Sequence, residues 1–178
     1  FRELMDQIGI GQAPSKSVKS YLEGKEFAQE QKKAFSMQLN WAKEHNLPVV
    51  IHNRNAFKEI YSILELHKGN IHGVFHCFSG SYIEAKKIID LGFYIGIGGI
   101  ITFKNSNLQE VVKKIDLKHI ILETDSPYLA PHPMRGKRNE PKFLQITAKK
   151  VSETTGIKME KISEITNQNV NNIFFKKK

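Results

Sequence analysis

Short apolar runs alternate along the chain with longer amphipathic stretches. From Glu26 to His45, the apolar residues Phe27, Ala34, Phe35, Leu39, Trp41 and Ala42 recur mostly at helical spacing, which predicts a helix. It stops before Pro48, because the residue preceding a proline is pushed out of the helical region. Leu47 to Ile51 is short, β-rich and apolar throughout, and reads as a buried strand. From Ala56 to Leu66, a second helix carries Phe57, Ile60, Ile63 and Leu64 on one face. Ile71 to Phe75 is the next strand. Ser81 to Leu91 is a helix with Ser81 as its cap and Gly92 as its stop. Gly92 to Ile97 is a glycine-thinned strand, Leu108 to Ile115 a short helix, and Ile120 to Leu122 another strand. A loop rich in proline and arginine runs from Ser126 to Glu140. Pro141 suits the first position of a helix reaching about Thr155, and Gly156 ends it. A last helix covers roughly Glu160 to Phe174, ahead of a solvated tail of lysines.

Apolar strands alternating with helices imply a parallel sheet covered by helices, either doubly wound or closed as a (β/α)8 barrel. The strands fall near Ile8, Val49, Val74, Tyr94 and Ile121. That is too few to close a barrel of eight, which takes about 250 residues. At 178 residues the chain is expected to be a single domain: a complete open sheet or a barrel short of its first units. It starts at Phe1 rather than Met, which favours a fragment.

The composition, 40% hydrophobic and 25% charged, excludes a largely disordered chain. No apolar run approaches the ~20 residues needed to span a membrane. Phe1 to Gln7 lacks the apolar stretch of a secretion signal. The single cysteine, Cys77, excludes an intrachain disulfide and leads us to expect a cytoplasmic protein. A net charge of +9 favours an anionic partner.

Three apolar runs end on side chains able to bind a metal: Val49-Val-Ile-His52, Gly73-Val-Phe-His76 and Ile121-Leu-Glu-Thr-Asp125. Imidazole and carboxylate suit Zn²⁺, Mn²⁺ and similar ions. The C-terminal ends of barrel strands are where such sites gather. One histidine after a strand is more often structural than a ligand; three strands ending in His, His and Asp strengthen the metal reading. His45, His67, His72, His119 and His132 lie at helix ends, strand starts or loops and are assigned structural or surface roles. Cys77 is expected to be a small buried residue.

Five segments occur in order: Leu47-Pro-Val-Val-Ile-His-Asn-Arg54, His76-Cys-Phe-Ser-Gly80, Gly92-Phe-Tyr-Ile-Gly96, Glu123-Thr-Asp-Ser-Pro-Tyr-Leu129 and Arg138-Asn-Glu-Pro141. Together they resemble the TatD family of metal-dependent deoxyribonucleases, from about Glu26 to Phe175. The resemblance implies an α/β fold, a (β/α)8 TIM barrel of the metal-dependent hydrolase type with its N-terminal units missing from this chain. It implies a site for two divalent ions (Mg, Mn or Zn), with His52 and His76 serving one and Asp125 the other. It implies hydrolysis of DNA phosphodiesters, with Asp125 as the catalytic group that takes the proton of the attacking water. Arg54, Asn139 and Glu140 would line or brace the substrate site. The loop from Met134 to Arg138 follows Asp125 closely, so Arg135, Lys137 and Arg138 are expected to clamp a phosphate. Phe78 and Tyr128 could stack on a base, although packing is the expected role of each.

Two departures shape the expectation. The family's opening His-x-His-x-Asp strand has no counterpart here. Where a metal-bridging Glu belongs, the stretch from Gln7 to Pro14 offers Gln12 or, in another register, Gln7. A neutral amide offers one oxygen and cannot bridge two cations as a carboxylate does. The chain is therefore expected to lack its first two β/α units and to bind metal weakly. Two rival functions stand beside the nuclease: a hydrolase of small amides or esters, and a catalytically silent protein that binds nucleic acid.

Overall fold

The structure, a computed structural model, describes residues 28–175. The strand expected near Ile8, the residues Gln7 and Gln12, and the lysine tail lie outside the described residues. Helix α1 (Ala28–Glu44) leads into β1 (Val49–His52), followed by α2 (Phe57–Glu65), β2 (Gly73–His76), α3 (Tyr82–Asp90) and β3 (Tyr94–Ile97). A 3-10 turn at Gly99–Thr102 precedes α4 (Leu108–Lys114), and another at Leu117–His119 precedes β4 (Ile120–Leu122). After a long loop, a 3-10 turn at Pro141–Phe143 opens α5 (Leu144–Thr155), and α6 (Met159–Phe174) closes the series.

The four strands form one parallel sheet in the order β1-β2-β3-β4. Each strand is followed by a helix that returns the chain to the same end of the sheet. All four C-terminal ends therefore lie on one side, as in a (β/α) barrel. Residues of one parity, Ile51, Phe75, Ile95, Ile97 and Ile120, face the helices and are at most 5% exposed. Opposite them, Val74 and Ile121 pack with Ile173 of α6. Asn169 of α6 is buried and donates to the carbonyls of Leu117 and Ile120, tying the last helix to the start of β4.

Local signals account for the element ends. Ser81 accepts from the Glu84 N–H while the Glu84 carboxylate accepts from the Ser81 N–H, a reciprocal cap on α3. At its other end the Gly92 N–H reaches the Ile89 carbonyl and the Phe93 N–H reaches that of Ile88, with both Ile88 and Phe93 buried. Pro141 opens a short 3-10 turn rather than the first turn of α5. The expectation of a wholly buried first strand is corrected: Leu47 is 56% and Val50 59% exposed. The cause is position, since β1 stands at the edge of the described sheet.

One glycine sets the register that the site depends on. A methyl group on Gly73 would lie 1.9 Å from the Val49 carbonyl oxygen, and Gly73 has φ +157°. Only a residue without Cβ lets β1 close on β2 here. The resulting pairing, Val49 with Gly73, carries His52 alongside His76 three residues later.

The core rests on Phe75, 1% exposed and edge-to-face with Phe93 at 5.7 Å between ring centroids. Phe75→Ala is expected to cost about 3–5 kcal/mol, whereas exposed Lys86→Ala stays within about 0.5 kcal/mol. Urea denaturation read by circular dichroism checks both; equal midpoints for the two variants would contradict this core.

Candidate metal centre

His52 and His76 end adjacent parallel strands and are register partners, with ring centroids 5.9 Å apart. Glu123 continues the ladder one residue past β4, its N–H donating to the Ile97 carbonyl at 3.1 Å. Period-two alternation then places Glu123 and Asp125 on the same side of the extended chain. His76 is clamped between them: Nδ1 lies 2.9 Å from Glu123 Oε2, and Nε2 lies 3.1 Å from Asp125 Oδ1. The other oxygen of Glu123 accepts from the Cys77 backbone N–H. Burial disfavours a charged His76 ring, but the two carboxylates outweigh it and raise its pKa.

Asp125 sits at the start of a pinned turn. Its carbonyl accepts from the Tyr128 N–H at 2.7 Å. Asn139, 3% exposed, donates through Nδ2 to the Tyr128 carbonyl at 2.6 Å and through its N–H to the Pro127 carbonyl at 3.0 Å. Asn139 thus braces the turn from within. The remaining expected residues are dispersed around this centre. Arg54 is exposed and close enough to Cys77 to favour its thiolate electrostatically. Arg138 is exposed, and Glu140 pairs with Lys142 at 2.8 Å. Arg135 lies over the Phe103 ring at 4.1 Å from its centroid. It helps line a cleft of about 400 Å³ with Thr102, Phe103, Lys104, Asn105 and His132. This cleft lies between the segments that follow β3 and β4, and the His132 N–H joins them by donating to Thr102 Oγ1 at 2.8 Å. Phe78 is buried, as packing requires, whereas Tyr128 is 71% exposed, contrary to the packing expected of it. Cys77 is half-buried, with a left-handed φ of 50°.

The donor set fits a divalent cation. Ligands about 2.0–2.2 Å from one ion stand roughly 3 Å apart, and His76 Nε2 and Asp125 Oδ1 are separated by 3.1 Å. A second grouping competes: His76, Cys77 and Glu123 bring one ligand atom each within 4.8 Å of one another. Burial, with Asp125 and Glu123 nearby, pushes the Cys77 thiol up to about 11 in the metal-free chain. One Glu123 oxygen already accepts from the Cys77 N–H, and the other lies 2.9 Å from His76 Nδ1. The alternative is the pair His76 Nε2 and Asp125 Oδ1, with His52 on the neighbouring strand end. Glu123 escaped the sequence reading, although it stands two residues before Asp125, where alternation carries it to the same side.

Comparison with known proteins follows the same line. Residues 15–175 match the model of the TatD related DNase family. The chain belongs to that family. A Bacillus subtilis protein named as an uncharacterized metal-dependent hydrolase, YabD, is 41% identical over 81% of this chain and 57% of its own length. Escherichia coli YcfH, with the same description, is 36% identical over 81% of this chain and 55% of its own. The crystal structure of YJJV, a TatD homolog from E. coli, superposes with a TM-score of 0.81 at 26% identity, over 94% of this chain and 64% of that one. The fold is that of the TatD hydrolases, a (β/α) barrel, and the chain spans somewhat more than half the length of these relatives. Among the described residues, no helix is long and apolar enough to cross a membrane.

The His76 clamp has a definite pH signature. Its folded pKa lies above the unfolded value of about 6.5. The stability it lends the metal-free chain is therefore complete below about pH 6.5 and is lost as pH rises through the folded pKa. Urea midpoints of wild type and His76→Gln should converge as pH rises; a gap that stays constant or widens would refute the clamp.

Proposed function

We propose that this chain acts as a divalent-metal-dependent hydrolase that cleaves DNA phosphodiester bonds. The observation that supports it most is the His76 Nε2 to Asp125 Oδ1 approach of 3.1 Å, with His52 beside His76 at the C-terminal end of the sheet. His52 and His76 would hold one ion of Mg, Mn or Zn, and Asp125 would hold a second or share the first. Such an ion supplies a nucleophile at neutral pH and charge stabilisation for the phosphoryl group.

The protein's own groups divide the remaining work. Asp125, with one carboxylate oxygen 3.1 Å from His76 Nε2, would orient the attacking water and accept its proton. Arg54 and Arg138, both exposed, would contact phosphates on either side of the scissile bond. The cleft with Lys104, His132 and Arg135 would carry the strand leading to it. Arg135 arrives there pre-positioned on Phe103, so less side-chain freedom is lost on binding. Asn139 keeps the Asp125 turn rigid from below, and Glu140 steadies Lys142 at the loop's end. The +9 charge suits a polyanionic substrate. The chemistry belongs in the cytoplasm, where the lone cysteine stays reduced.

Single-stranded DNA incubated with the purified chain and Mg²⁺, Mn²⁺ or Zn²⁺ should release nucleotides, and EDTA should stop it. Asp125→Asn should lower the rate about 10²–10⁴-fold, and Arg138→Ala should weaken DNA binding in a salt-dependent manner. Binding without cleavage would leave a silent nucleic-acid-binding protein. Turnover of a small ester or amide without DNA cleavage would make it a small-molecule hydrolase.

A further inference from the structure

We propose that Glu123 is the positioning residue of the metal centre, holding the proton of His76 on Nδ1 so that the Nε2 lone pair faces Asp125. This rests on the metal reading above, and the first arm of its test does not need a metal.

A neutral imidazole has one proton and two nitrogens. Both nitrogens of His76 face a carboxylate oxygen, Glu123 at 2.9 Å and Asp125 at 3.1 Å, so only one carboxylate can receive a hydrogen bond from the neutral ring. Three features favour Glu123. Its contact is the shorter. Its side chain is 14% exposed against 34% for Asp125, so water screens it less. Its second oxygen is anchored by the Cys77 backbone N–H, which restrains the carboxylate.

The fold makes room for this arrangement. A methyl group on Gly96 would stand 2.6 Å from Glu123 Oε2 and 2.9 Å from Oε1. Gly96 follows Ile95, which pairs with Phe75, so its vacant side lies beside His76. The missing Cβ is the space that the carboxylate fills. A metal-bound histidine whose other nitrogen donates to a carboxylate is oriented and made more basic by it, and losing that partner costs about 10–100-fold in metal affinity. Glu123 supplies this partner from the strand next but one in the sheet.

Histidine-labelled, metal-free full chain at a pH where the ring is neutral gives the first readout, ¹⁵N correlation of the two His76 nitrogens. Wild type should show Nδ1 protonated and Nε2 bare; Nε2 protonated overturns the proposal. Glu123→Ala should move the proton to Nε2, toward Asp125, and weaken Zn²⁺ or Mn²⁺ binding by calorimetry about 10–100-fold. Gly96→Ala, which removes no polar group, should shift tautomer and affinity the same way by displacing the carboxylate. Glu123→Gln keeps an acceptor for one of the two donors and should lose less affinity than Glu123→Ala. Equal loss in Gln and Ala variants would mean that Glu123 binds the ion itself and would overturn the positioning role. An unchanged tautomer in Glu123→Ala would overturn it too. Should wild type bind no metal at all, the functional reading fails while the tautomer still decides the role of Glu123. Thermal melts of each variant confirm that it folds.

Discussion

The site turns on a single imidazole held between two carboxylates. His76 reaches Glu123 with one nitrogen and Asp125 with the other. Two anions flanking one ring in a half-buried place need positive charge to balance them. The two carboxylates favour a protonated ring, and a divalent cation on the Asp125 side can take the place of that proton. Everything near the centre serves this geometry. Gly73 lets β1 close on β2, which brings His52 beside His76. Gly96 leaves space for Glu123, and Asn139 pins the turn that presents Asp125.

The parallel sheet converts widely spaced sequence positions into one cluster. His52, His76 and Asp125 are separated by 24 and 49 residues, the helices between the strands occupying that length. Because each β/α unit returns the chain to the same sheet end, residues after successive strands become neighbours. The loops after β3 and β4 meet at that end as well, through the His132 to Thr102 hydrogen bond. The cationic cleft and the candidate metal ligands are thus products of the same repeat.

Most elements were legible because their causes are local. Pro48, the Ser81 cap and the Gly92 and Gly156 stops set helix ends through backbone rules that neighbours in sequence decide. The four strands described were legible as apolar runs, and the strand-end histidines as departures from them. What escaped depends on distant partners. Glu123 lies inside an apolar-to-polar transition where Asp125 draws the attention. Its role exists only because Gly96, on another strand, lacks a side chain. Val50 is exposed on β1, the first strand of the described sheet. Tyr128 is aromatic yet exposed, and it is its backbone carbonyl that Asn139 holds.

Anomalous diffraction from crystals of the chain grown with Mn²⁺ addresses the centre most directly. The account predicts a peak within ligand distance of both His76 Nε2 and Asp125 Oδ1, on the side open to His52. A peak seated between Cys77 Sγ and Glu123, or density only at surface carboxylates such as Glu110, would contradict it.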